Sequence, residues 1–153
     1  MAFVNFTQGA ADIASTTIAA SAASHTATNH LFVIVAWDVA GDTVVSVADT
    51  ALNSYSQAQT LSSGTTRIQC WYTPSAITGN ATNIVTATIS GLAEFRRLGV
   101  WQFSDFAGNS ITWDTGDDAL GTGTAVATTA ETISVANEVI VAAGFFFSAQ
   151  DTP

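Results

Sequence analysis

The chain contains no lysine, and Arg67, Arg96 and Arg97 are its only strong bases. Twelve acidic residues set against these three leave a formal net charge of −9. Three guanidinium groups cannot line a groove that neutralises phosphates, which excludes nucleic acid as a partner. The same shortage excludes an anionic membrane surface. Charge of either sign is scarce: 10% of residues are charged, against about 25% in an average domain. The single cysteine, Cys70, excludes an internal disulfide framework and a cysteine zinc site. No apolar run approaches the roughly 18 residues that span a bilayer; the longest are Leu31 to Trp37 and Val139 to Phe147. The first residues, Met-Ala-Phe-Val-Asn-Phe-Thr-Gln, have neither the basic nor the apolar region of a secretory signal.

What is present is a chain that is 48% hydrophobic, too apolar for intrinsic disorder and long enough for one domain with its own core. It is acidic, lysine-free and rich in Thr, Ser, Ala, Val and Gly, as extracellular proteins are. Cytoplasmic synthesis combined with such a surface points to a virion protein, made in the host cytoplasm and released by lysis. The alternative is an extracellular or cell-surface protein.

Short β-branched runs with period-two alternation dominate, and no window sustains a helical period. The alanine-rich stretch Ala10 to Ala23 carries Ser15, Thr16, Thr17 and Ser21, which lower helix propensity, so it reads as a strand or extended arm. Leu31 to Trp37 is apolar on both faces and suits a central strand. In Thr43 to Asp49, alternation puts Val45 and Val47 on one face. Tyr55 to Leu61 is polar and suits an edge. In Thr66 to Thr73, Ile68, Cys70 and Tyr72 point one way and Arg67, Gln69, Trp71 and Thr73 the other. Asn83 to Ser90 has Val85, Ala87 and Ile89 as its inward set; Leu98 to Phe106 is a further strand, with a turn at Ser90-Gly91 before it. Thr132 to Val135 and Val139 to Phe147 complete the strands, and Gly116 to Thr129 reads as a long loop. Glycine, Asn and Asp turns at intervals of roughly ten residues predict an all-β, antiparallel β-sandwich, jelly-roll or immunoglobulin-like. It forms a single domain, with residues 1–29 as an N-terminal strand or arm and residues 30–153 as the sandwich.

Three segments carry a resemblance. Val47-Ala48-Asp49-Thr50-Ala51-Leu52-Asn53-Ser54-Tyr55 matches a Val-x-Asp-Ser/Thr-x-Gly-Asn-x-Tyr pattern, with Leu52 where the pattern has glycine. Cys70-Trp71-Tyr72-Thr73-Pro74 matches an aromatic strand, and Ala76 to Thr88 matches Asn-Ile-x-x-Gly-x-Asn-x-Val-Thr-Val-Thr. The chain thereby resembles β-sandwich modules of phage virion proteins and of bacterial extracellular adhesion or carbohydrate-binding proteins. The resemblance implies a sandwich fold and a binding or particle-surface role without catalysis. It also implies a further strand beyond Phe147, or an edge beside Val139 to Phe147 that another subunit covers.

Chemistry-bearing residues are few. His25 and His30 lie in a Ser/Thr/Asn-rich stretch and read as surface or strand-edge side chains. No Gly-x-Ser-x-Gly elbow accompanies them. Cys70 reads as a small apolar residue rather than a nucleophile. The cluster Asp114, Asp117 and Asp118 offers hard oxygen ligands on a glycine-bearing loop, so calcium is the one cofactor considered. Trp71, sharing a face with Arg67 and Gln69, has three readings: a second core layer, an interface anchor, or a platform for a sugar ring. Trp113, beside the acidic loop, is the better sugar candidate, whereas Trp37 and Trp101 sit in apolar strands and read as core. Arg96 and Arg97, adjacent on a strand, face opposite ways and are candidate interface anchors.

The expectation is therefore a non-enzymatic structural protein of a virus particle: a capsid decoration, fibre or tail-surface module. It would assemble as a homo-oligomer, a trimer, with other virion proteins as partners and intersubunit contacts made by Ala2 to Ala23. The alternative is a carbohydrate-binding or adhesion module that engages surface glycans.

Overall fold

The computed structural model describes residues 2–39, 41–104, 106 and 110–114. The strands expected within 132–147, the loop at 116–129 and the carboxylates Asp117 and Asp118 lie outside the described residues.

Nine strands follow one another in the described chain, and no helix occurs among these residues. They are β1 (Ala2–Ala11), β2 (Ser15–Ala19), β3 (Ala23–His25), β4 (His30–Asp38), β5 (Val44–Asp49), β6 (Ser56–Ser63), β7 (Thr66–Tyr72), β8 (Asn80–Asn83) and β9 (Val85–Ser104). All pairings are antiparallel. The larger sheet runs β1-β9-β4-β7-β6. β2 and β5 flank the first half of β9, and β3 and β8 form a small pair of their own. The fold is all-β and sandwich-like, as the period-two pattern predicts.

The strand β9 builds this arrangement. It reads in the sequence as two strands with a turn at Ser90-Gly91, but it is one strand of 20 residues. Its first half pairs with β2 and β5, its second half with β1 and β4. Strands that pass between packed sheets do so through bulges or bends. Here the inward residues are odd-numbered at Val85, Ala87, Ile89 and Ala93, and even-numbered at Arg96, Leu98, Val100 and Gln102. Phe95, at φ +48°, lies where the parity changes, beside a register shift against β4 between Ala36 and Asp38. One extra residue moves every following side chain to the opposite face. Without it Arg97, rather than Leu98, would face the core. The glycine signal at Ser90-Gly91 marks a register irregularity and not a chain reversal: β2 pairs Ser15 with Ala93 but Thr17 with Thr88.

The core lies between the two halves. Leu31, Val33, Val35 and Trp37 of β4, Leu98 and Val100 of β9, and Val85, Ala87 and Ile89 of β9 join Ile18, Val44, Val47 and Ile77 in one buried cluster. β4 is central in its sheet and apolar on both faces, as expected, with Ile34 and Ala36 buried on the side away from that cluster. β6 is polar and lies at an edge. In β5 a bulge between Val44 and Ser46 buries Val44 and Val47 together and leaves Val45 exposed, so Val45 and Val47 do not share a face.

The N-terminal segment is folded onto this chain's own sheets. β1 pairs with the second half of β9, and β2 with the first half. The two approach so closely that a Cβ on Gly9 would stand 2.0 Å from the carbonyl oxygen of Ala19. Gly9 is thus required by backbone proximity, a need that periodicity does not signal.

Candidate functional site

The densest polar grouping is built at the end of β5. Asp49 closes that strand, and an aspartate there bonds the amides of the turn that follows. Its Oδ1 accepts from the Ala51 amide at 3.1 Å and the Asn53 amide at 3.0 Å. Its Oδ2 accepts from Asn53 Nδ2 at 2.8 Å, the Tyr55 hydroxyl at 2.7 Å and Asn83 Nδ2 at 2.9 Å. Asn83, fully buried on β8, also points Nδ2 at His25 Nδ1, 2.9 Å away. Its Oδ1 accepts from the Thr50 hydroxyl and the Ala51 amide. One strand, β8, and the loop after β5 therefore converge on a single carboxylate, and Asn83 links it to His25 of β3. Asn53 Oδ1 extends the network by accepting the Thr78 amide at 2.7 Å.

Electrostatics follow from this geometry. Desolvation pushes the Asp49 carboxyl up, but the bonds from Asn83, Asn53 and Tyr55 together outweigh it and hold it below its ordinary value. Burial, with the neighbouring carboxylate, raises the Tyr55 hydroxyl far above its ordinary value. Burial lowers His25, and the Asp49 charge offsets that only in part. The group is a hub of satisfied acceptors that holds the loop 50–54. Within that loop Leu52 is 89% exposed and adopts φ +61°, with its amide on the Asp49 carbonyl at 3.1 Å. The turn forms with leucine in the left-handed region, a conformation that favours glycine.

The sequence-derived site residues are placed differently from one another. Gln69 is buried, and its Oε1 accepts the Val44 amide at 2.9 Å, joining β7 to β5. The face of β7 carrying Gln69 and Trp71 is therefore inward, and Ile68, Cys70 and Tyr72 lie on the other side. One hydrogen bond lets a glutamine occupy a core position. Trp71 is half-buried and packs against the core cluster. Arg67 turns back onto the carbonyls of Gly64 and Thr66 and closes the β6–β7 hairpin. Arg96 is buried, with its guanidinium on the carbonyls of Thr17 and Ile13. Arg97 faces the other way and pairs with Asp12 at 2.6 Å. Both arginines thus clamp the β1–β2 connection of their own chain. Burial pushes the Cys70 thiol up to about 11, which keeps it protonated at neutral pH.

The histidines correct the sequence reading. His25 and His30 are both buried, not on the surface. His30 Nδ1 lies 2.9 Å from the Thr73 carbonyl, and its ring meets Phe106 edge-on. Polar neighbours in sequence hid this, since Asn83 and Thr73, which receive the two rings, are distant along the chain. Asp114 is exposed, and among the described residues no three His, Cys, Asp or Glu side chains gather as metal ligands.

On the face of the larger sheet away from the core, aromatic rings align across four strands. Phe6 of β1 is opposite Trp101 of β9, which is opposite Phe32 of β4, which is opposite Tyr72 of β7. Ring centroids are 4.8 Å apart for Phe6 and Trp101, and 6.5 Å for Trp101 and Phe32. Trp113 lies parallel to Phe32 at 6.2 Å, with its amide 3.4 Å from the Tyr72 hydroxyl. Gly99 lets the Trp101 ring lie flat, since a Cβ there would meet that indole at 2.4 Å. Trp101 is thus half-buried in this outer row rather than in the core cluster. The row runs towards the start of β1, where Phe3, Val4 and Phe6 are 58%, 42% and 45% exposed. Comparison with protein-family models, curated proteins and solved structures finds no match in any of the three.

Proposed function

We propose that the chain is a non-enzymatic structural protein of a virus particle, a capsid decoration, fibre or tail-surface module that acts by assembling with copies of itself. The observation that carries this reading is the apolar end of β1. Phe3, Val4 and Phe6 are exposed on a strand without a single charged side chain, in a molecule of net charge −9. Copies so strongly alike in charge repel one another, and an uncharged apolar patch is where they can approach. The polar groups that a catalytic reading would use support the same view. Asp49 is engaged by five donors, and His25 by Asn83. The test is the mass in solution across a concentration series. Association into a closed oligomer, a trimer on this reading, supports the proposal, and a monomer at every concentration removes it.

One observation favours a second reading, a carbohydrate-binding module: the row Phe6, Trp101, Phe32 with Trp113 stacked beside it. Aromatic faces stack on the C–H faces of sugars. A glycan array distinguishes the two, because binding that is lost in Trp113→Ala belongs to the second reading alone.

A further inference from the structure

The network around Asp49 has a consequence that does not depend on the assembly reading. We propose that His25, Asn83 and Asp49 form an acid-triggered latch, in which a proton taken up by His25 displaces the Asn83 amide and releases the loop 50–54.

Two separate contacts fix the orientation of Asn83. The Ala51 amide 3.1 Å from one end can only donate, so that end is the oxygen. The Asp49 carboxylate 2.9 Å from the other end only accepts, so that end is the NH2 group. One of its hydrogens goes to Asp49, and the other points at His25 Nδ1. Nδ1 must then be an acceptor. The ring is neutral and carries its hydrogen on Nε2, a buried atom without a hydrogen-bond partner among the described residues.

Adding a proton to Nδ1 sets N–H against N–H. Asn83 cannot answer by flipping, since its oxygen would face the Asp49 carboxylate and its NH2 would face the Ala51 amide. The remaining response is for the imidazolium to bond Asp49 directly and for Asn83 to leave. Asn83 then releases the Thr50 hydroxyl and its share of the Ala51 amide, and Asp49, drawn towards the imidazolium, loosens its own hold on the Ala51 and Asn53 amides, while Thr50 stays bonded to Ile84. Among the described residues, the groups around His25 are these. β8 supplies Asn80, Ala81, Thr82 and Asn83, none of them titratable. β5 supplies Asp49, whose charge attracts the imidazolium, and the loop supplies Tyr55, bonded to the same carboxylate. Leu52, held at positive φ in this loop, gives the released segment a reason to relax.

The experiment is nitrogen-15 NMR on the full chain between about pH 7.5 and about pH 4.5, a range bracketing the ordinary imidazole value. At neutral pH His25 is expected as the neutral Nε2–H tautomer. As it titrates, amide-exchange protection at Ala51 and Asn53, corrected for intrinsic rates, should fall about tenfold or more, while Val33 and Val35 hold; tenfold corresponds to about 1.4 kcal/mol. In His25→Phe the fall should be absent. The latch is overturned if His25 is charged or carries its hydrogen on Nδ1 at neutral pH, or if it does not titrate in this range. It is overturned equally if protection stays flat or falls in His25→Phe as it does in the parent. Should that variant not fold, the parent decides. A shared midpoint for His25 titration and Ala51 exposure supports the latch, and midpoints more than about one pH unit apart reject it.

Discussion

Individual residues here act mainly through what they hold. Leu52 is almost fully exposed, so its side chain contributes little packing, yet its φ of +61° is unfavourable for any residue with a Cβ. Leu52→Gly removes about 1–2 kcal/mol of conformational strain and adds about 0.5–1 kcal/mol of chain entropy cost. The expected outcome is a net gain of about 0.5–1 kcal/mol in chemical denaturation. Arg96 is the opposite case, a buried cation whose partners are two backbone carbonyls, Ile13 in the β1–β2 connection and Thr17 in β2. Charge-assisted hydrogen bonds contribute about 1.5–3 kcal/mol each. Arg96→Met leaves those carbonyls without the guanidinium, so a loss of about 2–4 kcal/mol is expected in the same measurement. The exposed Arg97–Asp12 pair should matter far less, about 0–1 kcal/mol.

At the level of strands, legibility depended on whether the local pattern and the long-range partner agreed. β4 was legible because an apolar run on both faces admits only a central place, and Val85, Ala87 and Ile89 because their alternation is unbroken. Alternation separates the two faces of β7 without saying which is inward, since Gln69 is core only by virtue of Val44, 25 residues away. β9 looks like two strands in the sequence because Gly91 resembles a turn, although a strand shared by two sheets also needs a break in register there. The Asp49 loop was visible as a pattern of residue types, but its convergence on His25 was not, because 58 residues separate His25 from Asn83. Glycine positions test this account of the strands. Gly9→Ala drives a Cβ into the backbone of Ala19, whereas Gly91→Ala meets only the carboxylate of Asp42, a movable side chain. Denaturation of both variants should show a loss of about 1–3 kcal/mol for the first and a smaller one for the second.

For the whole molecule, buried titratable groups define a stability plateau. His25 and Asp49 are both held below their ordinary values, so the native state binds fewer protons than the unfolded chain in acid. The His25 contribution is complete above pH 6.5 and fades as pH falls below it; the Asp49 contribution fades below pH 3.8. Cys70 and Tyr55 are held above theirs, so their contributions are complete below pH 9.0 and pH 10.0 respectively and fade as pH rises. Thermal unfolding followed against pH should therefore show its highest midpoints between about pH 7 and pH 9, with His25→Phe flattening the first acid-side step. The proposed assembly sets an apolar patch against a large like charge. Sedimentation equilibrium of the parent and of Phe3→Lys and Val4→Lys, in low and high salt, tests it most directly. The account predicts an oligomer in the parent that tightens as salt screens the net charge, and a shift to monomer in both variants without loss of fold. A parent that stays monomeric in high salt, or variants that associate as the parent does, would contradict it.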